Sequence, residues 1–133
     1  MITLKDVSKY AIIAEQLATF STADRAKVGA LLIKNGRIVS TGYNGQLPGE
    51  PHKALMFGGH DISTVHAEQN AICFAAKNGI STNDCEMIIT HTPCSTCTKI
   101  LLQAGINKVY IIHSYRESEN PFLDKLDVEK ISR

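Results

Sequence analysis

The stretch Lys27-Val28-Gly29-Ala30-Leu31-Leu32-Ile33-Lys34-Asn35-Gly36-Arg37-Ile38-Val39-Ser40-Thr41-Gly42-Tyr43 decides the architecture. Lys27 to Ile33 reads as one strand and Arg37 to Tyr43 as a second. Between them stands Lys34-Asn35-Gly36, and Asn-Gly between two apolar runs is the strongest short hairpin signal. Val28 to Ile33 is apolar on both alternating faces. A strand of that kind is expected between helices that cover it above and below.

Upstream, Thr3 to Phe20 carries Leu4, Val7, Ala11, Ala14, Leu17 and Ala18 at spacings of three and four. That is the stripe of an amphipathic helix. Thr3 with Asp6 forms a weak capping-box start, and Ser21 to Ala26 reads as a loop. Downstream, Asn44 to Ser63 is rich in Gly and Pro and reads as a long loop, a kind that is often functional. Val65 to Asn78 predicts a helix stopped by Asn78-Gly79. Glu86 to Thr90 predicts a strand, Pro93 to Ala104 a helix stopped by Gly105, and Lys108 to Ile112 another strand. Strand, helix, strand in that order predicts parallel pairing. The tail, Ser114 to Arg133, is more polar and yields no element.

The 133 residues suit a single domain spanning 1–133. Hydrophobic residues make up 44% and charged residues 20%, as in ordinary soluble globular proteins. No apolar run reaches the ~18 residues of a membrane span, so no membrane partner is expected. Met1 to Lys9 lacks the pattern of a secretion signal, which points to a cytoplasmic protein. The net charge of +1 is a poor footprint for nucleic-acid binding but does not oppose a small anionic ligand. In a reducing compartment Cys73, Cys85, Cys94 and Cys97 are expected to be core fillers, metal ligands or redox groups rather than disulfides.

Two segments carry the chemistry, each at the start of a predicted helix: His66-Ala67-Glu68 and Pro93-Cys94-Ser95-Thr96-Cys97. Cys94 and Cys97 stand at i and i+3, on one helix face, so both sulfurs can reach one ion. A helix N-terminus lowers a thiol's pKa and so supplies the thiolate a metal needs. Pro93 suits a helix entry. Two thiolates and the His66 imidazole make three protein ligands for Zn2+, with a fourth position left for water. Glu68 is two residues from His66, and such residues do not share a face of a regular helix. His66 must then sit at the irregular start if both are to converge. A carboxylate placed there can take a proton from the attacking water and deliver it to a substrate.

The pair H-x-E and P-C-x-x-C is the signature of the zinc nucleobase deaminases. More narrowly, His66-Ala67-Glu68-Gln69-Asn70-Ala71, Gly42-Tyr43-Asn44-Gly45 and Gln103-Ala104-Gly105-Ile106 resemble the deoxycytidylate (dCMP) deaminases, over roughly Lys27 to Ile112. The resemblance implies a three-layer α-β-α fold of the cytidine-deaminase type, with a central mixed five-stranded sheet. It implies His66, Cys94 and Cys97 as zinc ligands and Glu68 as proton shuttle. Asn44 would contact the sugar and base, and the Ala67 backbone N–H the base carbonyl. Carbonyls near Thr92 would receive the leaving amino group, and Tyr115 would lie over the pyrimidine. Arg25 is the implied phosphate partner. The reaction would be hydrolysis of dCMP to dUMP and ammonia, supplying thymidylate synthesis. Homo-oligomers, hexamers or tetramers, are usual in the family, as is control by dCTP and dTTP. Between Asn44 and His66, however, the chain is short. That segment holds His52 and His60 but no cysteine, so a second, structural zinc is not expected and the allosteric site is weakened as an expectation.

Each residue also has a plainer reading. Cys94-x-x-Cys97 alone fits a redox pair or half of a structural zinc site. Glu68 could serve only the helix dipole, Arg25 could be a solvated loop residue, and Tyr115 could pack at an edge. Asn44 could be a turn residue in left-handed geometry. Cys73 and Cys85 read as buried apolar groups, and His52, His60, His91 and His113 as ordinary side chains. Two alternatives to dCMP stay open: a related deaminase substrate (dCTP, cytidine, free base or tRNA adenosine), and a zinc-stabilised binding module without turnover.

Overall fold

The computed structural model describes residues 4–23 and 25–132. In chain order the elements are α1 (Leu4–Ala18), β1 (Gly29–Lys34), β2 (Arg37–Tyr43), β3 (Gly45–Gln46), β4 (Met56–Phe57), β5 (His60–Asp61), β6 (Thr64–Val65), α2 (Ala67–Lys77), β7 (Glu86–His91), α3 (Ser95–Gln103), β8 (Lys108–His113) and β9 (Asp127–Lys130). Thr3, and with it the expected Thr3–Asp6 cap, lies outside the described residues. Five strands form one sheet in the order β2-β1-β7-β8-β9. β1 pairs antiparallel with β2 and with β7, whereas β7–β8 and β8–β9 are parallel.

The Asn-Gly hairpin forms as expected. Lys34 pairs with Arg37, and the two residues between them, Asn35 and Gly36, have φ of 52° and 75°. Two positive φ angles in succession give the turn whose twist matches the flanking strands. β1 then runs through the centre of the molecule, with Ala30, Leu31 and Leu32 fully buried. Its Leu31 and Ile33 meet Val7 and Ala14 of α1 on one face. Its Ala30 and Leu32 meet Ala71 and Ala75 of α2 and Leu101 of α3 on the other. The result is three layers, with α1 on one side of the sheet and α2 and α3 on the other.

Several boundaries differ from the reading of the sequence. The stretch from Asn44 to Ser63 is not one structureless loop. β3 pairs with β6, closing its base, and β4 pairs with β5 in a small hairpin within it. Val65 belongs to that ladder, so α2 begins at Ala67. The polar tail supplies the fifth strand, β9, whose Asp127 and Glu129 both pair with Lys108 of β8, at 3.3 and 3.4 Å. Charged side chains suit a sheet edge and hide a strand from any reading based on apolar alternation. Cys85 is buried as expected, but Cys73 is exposed on α2. No helix of the described residues is long and apolar enough to cross a membrane.

α2 lies unusually close to β2. The Ser40 hydroxyl donates to the Ala71 carbonyl at 2.6 Å, and the Asn70 amide donates to the Tyr43 carbonyl at 3.0 Å. Gly42 makes the approach possible: a Cβ there would lie 2.3 Å from the Ala67 carbonyl oxygen and 2.7 Å from the Ala71 nitrogen. Gly42→Ala should therefore push the first turn of α2 off the sheet and cost about 1–3 kcal/mol. Urea unfolding measures this, and an unchanged midpoint would show that α2 is not held against β2 at this point.

Candidate active site

α2 and α3 begin at the same place, beyond the C-terminal ends of the parallel strands. Ligand sites of open α/β sheets gather at such an edge. His66 is the N-cap of α2, with extended backbone (φ −72°, ψ 154°), and its N–H donates to the Gln69 carboxamide oxygen at 3.0 Å. Cys94 is the N-cap of α3, also extended (φ −72°, ψ 171°), and its sulfur accepts from the Cys97 N–H at 3.4 Å. Neither residue is inside its helix. The cap position turns each side chain back over the helix start, and this lets His66 and Glu68 converge although they are two residues apart.

The His66 Nδ1 lies 3.6 Å from the Cys94 sulfur and 3.3 Å from the Cys97 sulfur. Ligand atoms of all three residues lie within 4.8 Å of one another, and no other such group occurs among the described residues. The donor set of two sulfurs and one imidazole nitrogen fits zinc with one coordination position open. The electrostatics agree. The Cys94 thiol is pulled down to about 4, chiefly by its hydrogen bond with Cys97 and, against burial, by His66. Cys97 is pushed up, first by that same bond with Cys94 and then by burial. His66 is raised, mainly by its hydrogen bond with Cys94. Cys94 is thus the readier of the two thiols to ionise, and a metal ion would favour the thiolate form of both.

Glu68 is 4% exposed, beside Cys97. Burial pushes its carboxyl up to about 7, against the opposing pull of His66. At neutral pH such a group holds or gives up a proton with little cost, as a general acid–base requires.

The site opens into a cavity of about 630 Å³, within the usual range for small-molecule pockets. Every residue expected at the site lines it apart from Cys97, which is buried behind Cys94: Arg25, Asn44, His66, Ala67, Glu68, Thr92, Cys94 and Tyr115. Asn44 is not in a left-handed conformation; among the described residues only Asn35, Asp84 and Arg116 are non-glycines with positive φ. Its side chain braces the wall, accepting from the Val28 N–H at 2.8 Å and donating to the Ala26 carbonyl at 2.8 Å. One amide hydrogen and one lone pair are left over for a ligand. Thr92 donates its hydroxyl to Glu117 at 2.7 Å and accepts from the Tyr115 N–H at 3.0 Å. Tyr115 stands edge-on to His91, ring centroids 5.9 Å apart, and exposes 37% of its surface.

The cavity also contains residues to which the sequence assigns no role at the site, His60 and His91 among them, which read there as ordinary side chains. His91 lines it 5.3 Å from His113, and burial followed by the His113 charge lowers its pKa. Arg116 brings a second guanidinium, 5.3 Å from the Tyr115 ring, on a left-handed backbone with φ 47°. Asn120 and the β4–β5 hairpin, through Met56 and His60, complete the rim. Arg116 and Asn120 come from the unread tail and Met56 and His60 from the long loop, where periodicity carries no signal, whereas His91 is the last residue of β7.

Comparison with known proteins places these features in a family. Residues 2–113 match the model of the cytidine and deoxycytidylate deaminase zinc-binding region. The chain is 40% identical over 114 residues to ComE operon protein 2 of Bacillus subtilis, covering 83% of this chain and 59% of that protein. It is 31% identical to the deoxycytidylate deaminase of Enterobacteria phage T4, covering 70% of each. Among solved structures, the dCMP deaminase of cyanophage S-TIM5, crystallised with dCMP and dUMP, superposes with a TM-score of 0.87 at 34% identity. That match covers 98% of this chain and 100% of the other.

The thiol geometry gives a direct test. Cys94 is exposed and its thiol is pulled down, whereas Cys97 is buried and its thiol is pushed up. Iodoacetamide at mildly acidic pH should modify Cys94 of the metal-free protein well before Cys97, and zinc should protect both. Peptide mass spectrometry reads the outcome; equal labelling, or no protection by zinc, would contradict the site as described. By its matched region, its identity to named relatives and its converging His66, Cys94 and Cys97, the chain belongs to the cytidine and deoxycytidylate deaminase family.

Proposed function

We propose that the protein is a zinc-dependent hydrolase of a cyclic amidine C–N bond that converts dCMP and water to dUMP and ammonia, supplying thymidylate synthesis. The observation that carries this reading is the buried Glu68 carboxyl beside the converging His66, Cys94 and Cys97, at a cavity also lined by Arg25 and Arg116. The structural likeness to a phage enzyme crystallised with dCMP and dUMP supports the choice of nucleotide.

His66, Cys94 and Cys97 would hold the zinc, which when bound would supply Lewis acidity and a water made nucleophilic near neutral pH. The chain's own residues do the rest. The Ala67 N–H, at the open start of α2, donates to the base carbonyl and holds the ring. Asn44 contacts sugar and base with the hydrogen-bonding capacity its bracing role leaves over. The carbonyl at Thr92 accepts from the exocyclic amino group, and Tyr115 covers the pyrimidine face. Glu68 takes a proton from the attacking water and passes it to the ring nitrogen as the C–O bond forms. It then moves the proton of that newly added hydroxyl to the amino group, so that the C–N bond breaks, the oxygen becomes the new carbonyl and ammonia leaves. Its pKa near neutrality suits both directions of transfer. Arg25 donates two parallel hydrogen bonds to the phosphate.

The same reading includes a homo-oligomer, a hexamer or tetramer, in a reducing cytoplasm. Support for the assembly comes from large apolar groups left in solvent by the single chain. Phe20 and Phe57, for example, are 63% and 74% exposed. Sedimentation measures the assembly. Control by dCTP or dTTP is read by adding each to the assay.

Zinc-loaded protein should deaminate dCMP in preference to cytidine, cytosine, dCTP and a tRNA anticodon arm. Preference for an unphosphorylated compound would discard the nucleotide assignment, and turnover of the tRNA would move it to adenosine. Glu68→Ala should keep zinc and fold but lose about 10²–10⁴ in kcat, whereas a binding module without turnover would be indifferent. Arg25→Ala should raise KM for dCMP about ten-fold or more, the worth of a charge-assisted contact, with little effect on kcat.

A further inference from the structure

The segment between β8 and β9 returns across the start of α3. There Asn120 is 7% exposed, and both hydrogens and one oxygen lone pair of its amide are engaged by three partners. Its nitrogen donates to the Pro93 carbonyl and to the Thr98 hydroxyl oxygen, each at 2.9 Å, and its oxygen accepts from the Phe122 N–H at 3.1 Å. Pro93 immediately precedes Cys94, and Thr98 immediately follows Cys97. Thr98 also donates its backbone N–H to the Cys94 carbonyl at 2.9 Å. One buried side chain therefore bridges the two residues that bracket the pair of thiols. Asn120 lies beyond residues 2–113, the stretch matched by the family model.

We infer that Asn120 is a positioning residue of the metal centre, and that its amide clamps Pro93 to Thr98 so that Cys94 and Cys97 are held at the separation one divalent ion requires. The inference rests on the zinc reading of His66, Cys94 and Cys97. The physical argument is one of preorganisation. Cys94 is a helix cap, outside the regular hydrogen-bonded ladder, so beyond the Cys97 N–H bond to its own sulfur the turn that carries it depends on what holds its two flanks. The Pro93 carbonyl cannot join the ladder of α3 from that side and is satisfied from across the fold. The amide nitrogen has two hydrogens, and both are used on the two flanks of the thiol turn. Groups that orient metal ligands from behind set affinity without touching the ion. The same segment is itself anchored, since Glu117 accepts from Thr92 at 2.7 Å and from Lys130 of β9 at 2.6 Å.

The test is zinc affinity of the full chain by chelator competition, with the visible spectrum of the Co2+-loaded protein as a report of thiolate geometry. Thermal melting of the metal-free protein runs alongside. Thr98→Val keeps the packing volume and removes the hydroxyl acceptor, whereas Thr98→Ser keeps the hydroxyl and removes a methyl group from a fully buried position. Asn120→Ala and Thr98→Val should each weaken zinc binding about ten-fold or more and alter the Co2+ spectrum. Thr98→Ser should melt at lower temperature yet keep wild-type affinity and spectrum. The inference is overturned if Thr98→Val binds zinc as wild type does, or if affinity simply follows melting temperature across the set. Should Asn120→Ala fail to fold, the Thr98 pair decides alone. Wild-type protein that binds neither Zn2+ nor Co2+ would overturn the metal reading itself and is distinguishable from both results.

Discussion

Two helices have to start at one point above the sheet, and everything else in the molecule serves that requirement. His66 and Cys94 are both cap residues, so a shift of either helix by a single turn would carry its ligand about 5.4 Å away and leave no shared position for an ion. α2 is located by its close approach to β2 at Gly42 and by the hydrogen bonds of Ser40 and Asn70. α3 is located differently, because it follows directly from the end of β7, deep in the sheet. A rigid β1, with helices on both faces and strands on both edges, links the two placements.

The same geometry makes a buried acid tolerable. Glu68 lies in the first turn of α2, where the helix dipole favours negative charge, next to an imidazole whose own pKa is raised. Burial opposes ionisation and those two neighbours favour it, so the carboxyl settles near neutrality. A bound cation would add to the forces favouring the charged form. An acid that is only just ionised is costly to a fold and useful to a reaction, and such compromises are expected at functional sites.

Much of this was legible in the letters, for reasons that can be named. Asn35-Gly36 has a local conformational preference strong enough to set the hairpin without help from the rest of the chain. Val28 to Ile33 could be read as a central strand because burial on two faces leaves no place for a polar residue. The ligands were legible because His-x-Glu and Cys-x-x-Cys are demanded by local geometry at helix starts. β9 was not legible: its sequence Asp127-Val128-Glu129-Lys130 is an edge strand whose charges are satisfied by Lys108, a partner remote in sequence. Arg116 and Asn120 escaped for a similar reason. Their positions depend on a non-repeating segment in which a left-handed residue and a buried amide replace any periodic pattern. Cys73 was misjudged because residue type is only a weak guide to burial on a helix with one wet face.

The two edges of β1 differ in how far along the chain their partners lie. On one side the tight hairpin brings Gly29 opposite Tyr43, a local contact; on the other, Ala30 pairs with Ile89, across more than a third of the chain. Hairpins close in microseconds, whereas distant pairings must first overcome the entropy of a large loop. Folding should thus proceed from β1–β2 outward, with β7 docking later. Since His66 lies before that docking strand and Cys94 and Cys97 after it, the ion-binding cluster is assembled only by this late event. Metal capture during refolding would then be a kinetic marker for the moment at which the central sheet closes.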